Sequence, residues 1–405
     1  MASTLNRLLV VDDHPDILDF VSQVAEGVGY TVAKAQSQDE FHALLPGFRP
    51  TLVMLDLQMP GGDGVELIRA LARQHSKANV VLASGMDQRV LNAAEQLGKS
   101  HGLAMAGVMH KPIMLGDLEC LLGRYFESRR EVTVEQLRRA VDRAELRVHY
   151  QPKGKLIDGR WKIESAEALV RWEHPDYGLI YPDEFIPLAE SSGLIAALTD
   201  FVLQTGIEQV GAWNKRGLEL GLSVNLSPRL VSNLEFPDQL AVLAAKSNVD
   251  NSQLTLEVTE TAALSDPAHT LDILTRLRVK KFGLSLDDFG TGFSSVTQLY
   301  QMPFSELKID KSLGLDLQRN VEARTIVRSL VELGHNLGLS VCCEGVETEQ
   351  SLAFLGSIGC DSAQGYYIAR PMVAEALPTL VTSWNSARFP TAAGLASRAA
   401  GAGVG

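Results

Sequence analysis

Short apolar runs alternate with longer amphipathic stretches over the first part of the chain. The runs read RLLVVDD, TLVMLDL, NVVLASG and GVMHKP, and the stretches between them have helix length. Runs that are apolar almost throughout are typical of strands in a parallel sheet with helices on both faces. The pattern therefore predicts a doubly wound parallel α/β domain of the flavodoxin-like type over residues 1–126.

A second alternation predicts a larger domain after a connector. Residues 127–145 have apolar positions at helical spacing, and we predict a helical linker that either packs on the flanking domains or carries a signal or a dimer contact. Eight strand-like runs follow between residues 146 and 383, mostly with helix-length stretches between them. Such a repeat over about 240 residues is typical of a TIM-like (β/α)8 barrel. Residues 384–405 are rich in Ala and Gly and are predicted to be disordered.

Composition and charge narrow the classes of protein that the chain can represent. Its 405 residues are 45% hydrophobic and 21% charged, which is ordinary for a globular protein of two domains. A net charge of −12 argues against binding to nucleic-acid polymers or to membrane surfaces. Four scattered cysteines and the absence of an uninterrupted apolar run of about 18 residues predict a soluble, cytoplasmic protein with buried thiols.

Polar residues end the predicted strands of the second domain. Because the carboxyl ends of barrel strands converge on one mouth, these residues are expected to meet there. A single acid at a strand end more commonly caps a helix, and Lys308 by itself could be a surface lysine paired with Asp310. A coordinated set at seven strand ends is better explained by a site. The set comprises Glu167, Asn225, Glu257, Asp287 with Asp288, Lys308, Glu344 and Gln364.

The chemistry of this set favours a divalent cation. One lysine is too little to neutralise five carboxylates, and donors that are all oxygen or amide favour Mg²⁺ or Mn²⁺ over zinc. Asp287 with Asp288 beside it could bridge two ions about 4 Å apart, which suits hydrolysis of a phosphodiester. Alternation in ESAEALVRW puts Arg171 on the face of Glu167, where it could bind a substrate phosphate. Glu260 lies three residues after Glu257, which ends its strand, and is better placed to hold a neighbouring loop than to bind a metal directly.

The first domain has its own polar strand ends. Asp12, Asp13, Asp56, Ser84 and Lys111 all lie just beyond apolar runs. Open α/β sheets bind ligands at this edge, so one site is predicted there.

The motifs of the second domain resemble, in order and spacing, the EAL domain of bacterial cyclic di-GMP phosphodiesterases. They are AEALVRW, VNLS, LEVTE, DDFGTGFSS, LKID, EGVE and QGYYIARP. The resemblance implies hydrolysis of cyclic di-GMP to the linear dinucleotide pGpG and a homo-oligomer, either a dimer or larger. Every motif position is filled; the one visible change is Phe293 in place of a common Tyr.

The same resemblance implies a role for each matched residue. Glu167, Asn225, Glu257 and Asp287 would hold the first metal, and Asp287 and Asp288 would hold the second. Lys308 and Glu344 would orient or deprotonate the attacking water. The nucleotide would be lined by Gln151, Arg171, Asp310 and Gln364.

The first domain resembles the receiver domain of two-component response regulators. The motifs are VVDDHP, LDLQMPGGDG, LASG and HKP. The resemblance implies Asp56 as phosphoacceptor, one Mg²⁺ or Mn²⁺ held by Asp12, Asp13 and Asp56, and a sensor histidine kinase as phosphodonor. Ser84 and Lys111 would contact the phosphate. Val108 stands where an aromatic switch residue is common, so the usual switch is not expected here.

Together these observations predict a receiver-controlled phosphodiesterase. The alternative is a catalytically silent module that binds cyclic di-GMP and acts through protein contacts. A DNA-binding regulator is disfavoured by the acidic charge and by the lack of a basic helix-turn-helix segment. The sequence does not reveal the partner kinase, the sign of phosphorylation control or the process that is regulated.

Overall fold

The chain divides into two compact units, Met1–Glu131 and Val132–Gly405. The computed structural model describes a set of residue ranges, and all structural statements below refer to them. These ranges are 6–59, 62–74, 76–85, 88–126, 132–227, 230, 233–259, 267–290, 296–318 and 320–386. None of the helices in these ranges combines the length and the apolar character that crossing a bilayer requires.

The first unit is built on a five-stranded sheet, with strands in the order β2-β1-β3-β6-β7 and all pairings parallel. The predicted doubly wound fold is confirmed. Its strands are β1 (Arg7–Val11), β2 (Thr31–Ala35), β3 (Leu52–Asp56), the short pair β4 (Gln58–Met59) and β5 (Gly62–Asp63), β6 (Asn79–Ser84) and β7 (Ala104–His110). Its helices are α1 (Pro15–Val28), α2 (Gln38–Phe48), α3 (Gly64–Arg73), α4 (Gln88–Ser100) and α5 (Leu115–Phe126).

Two separate cores cover the faces of this sheet. Leu9 and Val11 of β1 pack into one core, whereas Leu8 and Val10 pack into the other. Successive side chains of a strand point to opposite faces, so a strand between two cores must be apolar at every position. This is the physical reason for the uninterrupted apolar runs in the sequence.

The second unit is a closed eight-stranded barrel surrounded by helices. Its strands are β8 (Leu146–Ile157), β9 (Arg160–His174), the short edge strand β10 (Gly178–Ile180), β11 (Gly221–Asn225), β12 (Leu254–Thr259), β13 (Gly283–Phe289), β14 (Glu306–Ile309), β15 (Ser340–Cys343) and β16 (Ser362–Gln364). Its helices are α6 (Val134–Asp142), α7 (Pro182–Ser192), α8 (Ile195–Asn214), α9 (Phe236–Lys246), α10 (Pro267–Val279), α11 (Val296–Gln301), α12 (Lys311–Asp316), α13 (Val321–Asn336), α14 (Glu349–Ser357) and α15 (Leu377–Ser386).

The barrel confirms the predicted fold class but differs from a regular (β/α)8 repeat in its first strand. The ring runs β9-β11-β12-β13-β14-β15-β16-β8, and β8 closes it by pairing with β9. β8 is antiparallel to both of its neighbours. The cause is local: a two-residue turn, Asp158-Gly159, joins β8 to β9 with φ of 49° and 72°. An Asp-Gly pair with positive φ at both residues forms a tight hairpin, which leaves no room for a crossover helix.

The segments that flank the barrel strands are anchored to its core. α6 begins at a capping box formed by Thr133 and Gln136, and its Leu137 and Ala140 are fully buried with the barrel residues. Trp384 and Asn385, which the pattern assigns to a disordered tail, belong instead to α15. Trp384 Nε1 donates to the Trp161 carbonyl at 3.1 Å, and the Asn385 amide bonds to both backbone groups of Ile163. Residues 387–405 of the predicted tail lie outside the described residues.

We expect Trp384→Ala to lower the free energy of unfolding of the barrel by about 3 kcal/mol, because it removes a buried ring and leaves a cavity on β9. All four tryptophans, at positions 161, 172, 213 and 384, lie in the second unit, so tryptophan fluorescence during urea unfolding of the full chain reports on the barrel. Ser383→Ala, at an exposed position of the same helix, is the control and should change stability by less than about 0.5 kcal/mol. Equal midpoints for the two variants would contradict the anchoring role of α15.

Candidate functional sites

Lys308 of β14 lies at the centre of the barrel mouth and is almost completely buried, with 1% of its surface exposed. Its ammonium Nζ is within 4.0 Å of four carboxylates. They are Glu257 Oε2 at 2.6 Å, Glu344 Oε1 at 2.7 Å, Asp287 Oδ1 at 3.0 Å and Glu167 Oε2 at 4.0 Å. Four strand ends that are distant in sequence therefore converge on one cation. The alternative that Lys308 is a surface lysine is therefore wrong.

A second buried lysine, Lys153 of β8, is not among the residues predicted from the strand ends. That predicted set contains one lysine and five carboxylates. The Lys153 Nζ lies 3.0 Å from Glu257 Oε1, 2.9 Å from Ser223 Oγ and 3.5 Å from Glu306 Oε1. A signal was present: Lys153 is two positions after Gln151, so both share one face of β8. It could not be interpreted without knowing that β8 turns this face into the barrel.

Amide side chains orient Glu167 at the same mouth. Asn225 Nδ2 donates to Glu167 Oε1 at 2.7 Å, and Gln364 Nε2 donates to Glu167 Oε2 at 2.7 Å. Gln364 Nε2 also lies 3.1 Å from Gln151 Oε1. The Gln364 Oε1 atom is buried without a hydrogen-bond partner. The predicted residues Glu167, Asn225, Gln151 and Gln364 are thus brought together.

The remaining predicted residues lie around this cluster rather than in it. Arg171 is buried, donates to the Val170 carbonyl at 2.8 Å and lies 5.5 Å from the Tyr181 ring. Asp310 caps α12 by accepting from the Ser312 N–H at 2.9 Å. Asp288 is exposed and has a left-handed backbone with φ of 59°, which turns it away from the regular strand direction. Glu260 and Phe293 lie outside the described residues.

Burial and charge shift the acidities of the mouth carboxylates in opposite directions. Burial alone would raise the pKa of Glu257, but Lys153 and Lys308 outweigh it and hold this pKa at about 2. Burial raises the pKa of Asp287 to about 7, and the neighbouring carboxylates add to this effect. Burial also raises the pKa of Glu167 and of Glu344. Four carboxylates thus share two lysines, and burial favours the protonated form of Asp287, Glu167 and Glu344.

The mouth fits a hard divalent cation by the chemistry of its donors. Carboxylate and amide oxygens are the ligands that such ions prefer, and the buried Gln364 Oε1 is an acceptor without a donor. Neighbouring carboxylates contribute to the raised pKa of Asp287, and these same groups would attract a cation. In the described structure the mouth carboxylates surround the Lys308 ammonium, and their oxygens are not gathered around a separate point where a metal ion would sit. Among the described residues, only a group in the first unit has ligand atoms that all lie within 4.8 Å of one another.

A cavity of about 530 Å³ reaches the barrel mouth at Asn225 and Asp288. It is lined mainly by apolar side chains of β9, α7 and α8, among them Leu169, Ile186 and Val202. Its polar lining residues are Asp183, Thr199, Asn225 and Asp288. An apolar cavity with a few polar groups beside reactive carboxylates is suited to a flat, partly polar ring.

The predicted site of the first unit is assembled around Lys111. Its Nζ lies 2.6 Å from both Asp12 Oδ2 and Asp56 Oδ2. Burial alone would lower the pKa of Lys111, but its bonds to these two carboxylates raise it. The Lys111 N–H donates to the Ser84 carbonyl at 3.1 Å, which brings Ser84 to the same edge. The five predicted residues are completed by Asp13, which lies beside Asp12.

Two further features shape this first site. His14, which the sequence pattern did not single out, places Nδ1 2.9 Å from Asp13 Oδ1. With Asp12, Asp13 and Asp56 it forms the one group among the described residues whose ligand atoms lie close enough together to hold a metal ion. Gly64 is required by close packing, because a Cβ there would lie 2.6 Å from the Asp56 carbonyl oxygen. Val108 packs against one of the two cores of the unit.

A barrel with a carboxylate-rich mouth and a doubly wound domain with aspartates at its strand ends define a two-module protein of the response-regulator class. The chain belongs to the EAL domain family, whose model matches residues 134–371, and its first unit matches the response regulator receiver domain over residues 8–121. Both resemblances drawn from the sequence motifs are confirmed.

Individual relatives share either the whole architecture or only the barrel. The chain is 30% identical over 378 residues to the cyclic di-GMP phosphodiesterase RocR of Pseudomonas aeruginosa, covering 90% of this chain and 96% of RocR. It is 40% identical over 245 residues to the bifunctional diguanylate cyclase/cyclic di-GMP phosphodiesterase MucR of the same species, covering 60% of this chain and 36% of MucR. It thus spans about a third of the length of MucR and also of a 40% identical signaling protein of Caulobacter vibrioides, of which it covers 33%.

A solved structure supports the barrel comparison. The PaMucR phosphodiesterase in complex with c-di-GMP matches with a TM-score of 0.57 at 40% identity, over 60% of this chain and 98% of that chain.

We expect the chelator-treated protein to lose stability as the pH rises from about 4 to about 7. Asp287 in the folded state keeps its proton up to about pH 7, whereas in the unfolded chain it ionises near its ordinary value of 3.8. Within this window the folded state binds more protons, so the free energy of unfolding falls with rising pH, by roughly 4 kcal/mol at most from this group. The depressed pKa of Glu257 acts in the opposite direction below about pH 4.5 and so affects only the lower edge of the window.

Urea unfolding at a series of pH values measures this slope. Asp287→Asn should flatten it, and the exposed Asp272→Asn on α10 is the control. Saturating Mn²⁺ should oppose the loss, since a bound cation favours the ionised carboxylates. Stability that rises between pH 4 and pH 7 in the chelator-treated wild type would contradict the raised pKa of Asp287.

Proposed function

We propose that this chain hydrolyses cyclic di-GMP to pGpG in its EAL barrel and that phosphorylation of its receiver domain controls the reaction. The observation that carries the proposal is the convergence of Glu257, Asp287 and Glu344 on buried Lys308 beside an open cavity. RocR and MucR, which the chain resembles, are both named as enzymes that act on cyclic di-GMP.

The proposed cofactors are Mg²⁺ or Mn²⁺, with two ions in the barrel. Glu167, Asn225, Glu257 and Asp287 would hold the first, and Asp287 with Asp288 would hold the second. When bound, these ions supply positive charge that activates a water and stabilises the displacement at phosphorus. The residues of the chain do the rest: they hold the ligands, orient the substrate and accept the proton.

Lys308 and Glu344 are the proposed catalytic pair. The Lys308 ammonium holds Glu344 Oε1 at 2.7 Å and also contacts Glu257 and Asp287, which are assigned to the first metal. Burial raises the pKa of Glu344, and a carboxylate of raised pKa accepts a proton from water more readily than an ordinary one. Glu344 therefore acts as base and Lys308 orients both the base and the water.

Substrate binding is assigned to Gln151, Arg171, Asp310 and Gln364. Arg171 carries a buried Nε without a partner, so its guanidinium retains donors for a phosphate oxygen. Gln151 and Gln364 lie within 3.1 Å of each other and border the same mouth. We further propose that the apolar cavity receives one guanine of the substrate, and that Glu260 stabilises the loop after the paired aspartates.

Control is assigned to the receiver domain, taken as residues 1–126, with residues 127–145 as the linker to the barrel. Asp56 would accept the phosphoryl group from a sensor histidine kinase, with one Mg²⁺ or Mn²⁺ held by Asp12, Asp13 and Asp56. Ser84 and Lys111 would contact the phosphate. Because Val108 replaces the common aromatic switch, we propose that the signal passes through the linker or through a homo-oligomer interface. We also infer that the protein is cytoplasmic.

The direct test incubates purified protein with cyclic di-GMP and Mn²⁺ and follows pGpG by chromatography. The assay is run both with and without acetyl phosphate. We expect conversion to pGpG that a chelator abolishes. Tight binding of cyclic di-GMP with no turnover under either condition would reject the enzyme and support the silent binding module.

Replacement of the proposed base is the sharper test of mechanism. Glu344→Gln keeps the shape of the side chain but cannot take a proton, so we expect kcat to fall about 10³-fold while cyclic di-GMP affinity by calorimetry stays within about threefold. Glu349→Gln, at an exposed position in the first turn of α14, is the control and should retain activity. Near-normal turnover by Glu344→Gln would remove Glu344 from the mechanism.

The receiver assignment predicts that Asp56→Asn abolishes labelling by acetyl phosphate. The wild type and the control Asp39→Asn, an exposed carboxylate of α2, should both shift on a phosphate-affinity gel. Phosphorylation should change kcat of the wild type and leave that of Asp56→Asn unchanged. Equal labelling of Asp56→Asn would place the acceptor elsewhere.

A further inference from the structure

A layer of small or polar residues lies beneath the carboxylates of the barrel mouth. In each of the seven parallel strands, the residue two positions before the mouth residue faces the same side, one layer deeper. Bulky branched residues usually fill such layers in barrels of this type. The deeper positions hold Ser165, Ser223, Thr255, Ser285, Glu306, Cys342 and Ser362.

The eighth strand fills the space that these small side chains leave. β8 runs antiparallel to both neighbours, and its Gln151 lies at the mouth, against Gln364. Lys153, two residues on, reaches the deeper layer and is 2% exposed. Its ammonium contacts Ser223 of β11, Glu257 of β12 and Glu306 of β14, so one side chain connects three strands.

Glu257 is the mouth residue on which this arrangement acts. Its side chain is fully buried, and each of its two oxygens faces a different ammonium group. Oε1 lies 3.0 Å from Lys153 Nζ below it, and Oε2 lies 2.6 Å from Lys308 Nζ. A carboxylate held at both oxygens has no freedom to rotate. Lys153 therefore determines where Glu257 can present itself to the mouth.

We propose that Lys153 is a positioning residue for catalysis, a buried cation that fixes the proposed metal ligand Glu257 from the layer beneath it. The inference rests on the proposed function, since it concerns the same site. A lysine that only filled space would destabilise the fold, because an ammonium group in a protein interior is stable only when it is paired. The three oxygen partners, from three strands, are what a positioning role requires.

Lys153→Met tests the proposal, because methionine keeps most of the side-chain volume and removes the charge. Lys155→Met is the matched control: Lys155 is two residues further along β8, its side chain is 58% exposed, and it lies 3.8 Å from Glu164. Mn²⁺ affinity is measured by calorimetry on chelator-treated full-length protein. All variants carry Asp13→Asn to remove a proposed cation ligand of the receiver domain.

We expect Lys153→Met to bind Mn²⁺ in the barrel 10- to 100-fold more weakly, as changes behind metal ligands commonly do. At saturating Mn²⁺, kcat should fall by a similar factor while KM for cyclic di-GMP stays within about threefold. Lys155→Met should match the parent in all three quantities. A purely structural role predicts lower melting temperature with Mn²⁺ affinity within twofold of the parent, and that result would overturn the proposal.

Two further arms keep the outcome decisive. If Lys153→Met does not fold, Ser223→Ala removes one partner of the Lys153 ammonium at little cost in volume. It should weaken Mn²⁺ binding about threefold, and unchanged binding would count against the proposal. If the parent binds Mn²⁺ but does not hydrolyse cyclic di-GMP, the proposed function fails, yet the Mn²⁺ affinities of the variants still decide the role of Lys153.

Discussion

The barrel mouth depends on the balance between buried carboxylates and the two lysines that hold them. Lys308 lies within 4.0 Å of four carboxylates, and Lys153 supports one of them from below. The two ammonium groups bring four carboxylates together and are outnumbered by them, while burial raises the pKa of Asp287 to about 7. This excess of carboxylates over ammonium groups lowers stability, and it is also what makes the mouth suited to cations and to proton transfer.

The reversed first strand gives the barrel side chains that a regular repeat would not. A parallel strand sends its last residues to the mouth, whereas β8 runs through the barrel wall in the opposite direction. Its Gln151 therefore reaches the mouth and its Lys153 reaches the layer below. The Asp158-Gly159 turn, far from the carboxylates, is the local cause of this arrangement. A hairpin thus decides which residues surround Glu257.

The receiver domain applies the same physical arrangement on a smaller scale. Lys111 lies between Asp12 and Asp56 at equal distances of 2.6 Å, so a lysine holds aspartates from two strand ends in one place. Both units use the convergence of parallel strands to gather acids that are distant in sequence. In each, a lysine from another strand end keeps like charges close to each other. The difference lies in burial, which is greater around Lys308 than around Lys111.

The sequence by itself determined the fold class of both units and the identity of most mouth residues, because strand periodicity and polar strand ends are local patterns. Glu167, Glu257, Asp287, Lys308 and Glu344 could all be selected in this way. Tertiary structure alone decided the burial of Lys153 and the anchoring of Trp384, whereas the direction of β8 follows from the local Asp158-Gly159 turn. A lysine or a tryptophan in isolation has no local pattern that reveals its partners, since these come from strands up to 223 residues away. The distances between the site residues and their shifted pKa values likewise depend on contacts between strands that form only in the folded protein.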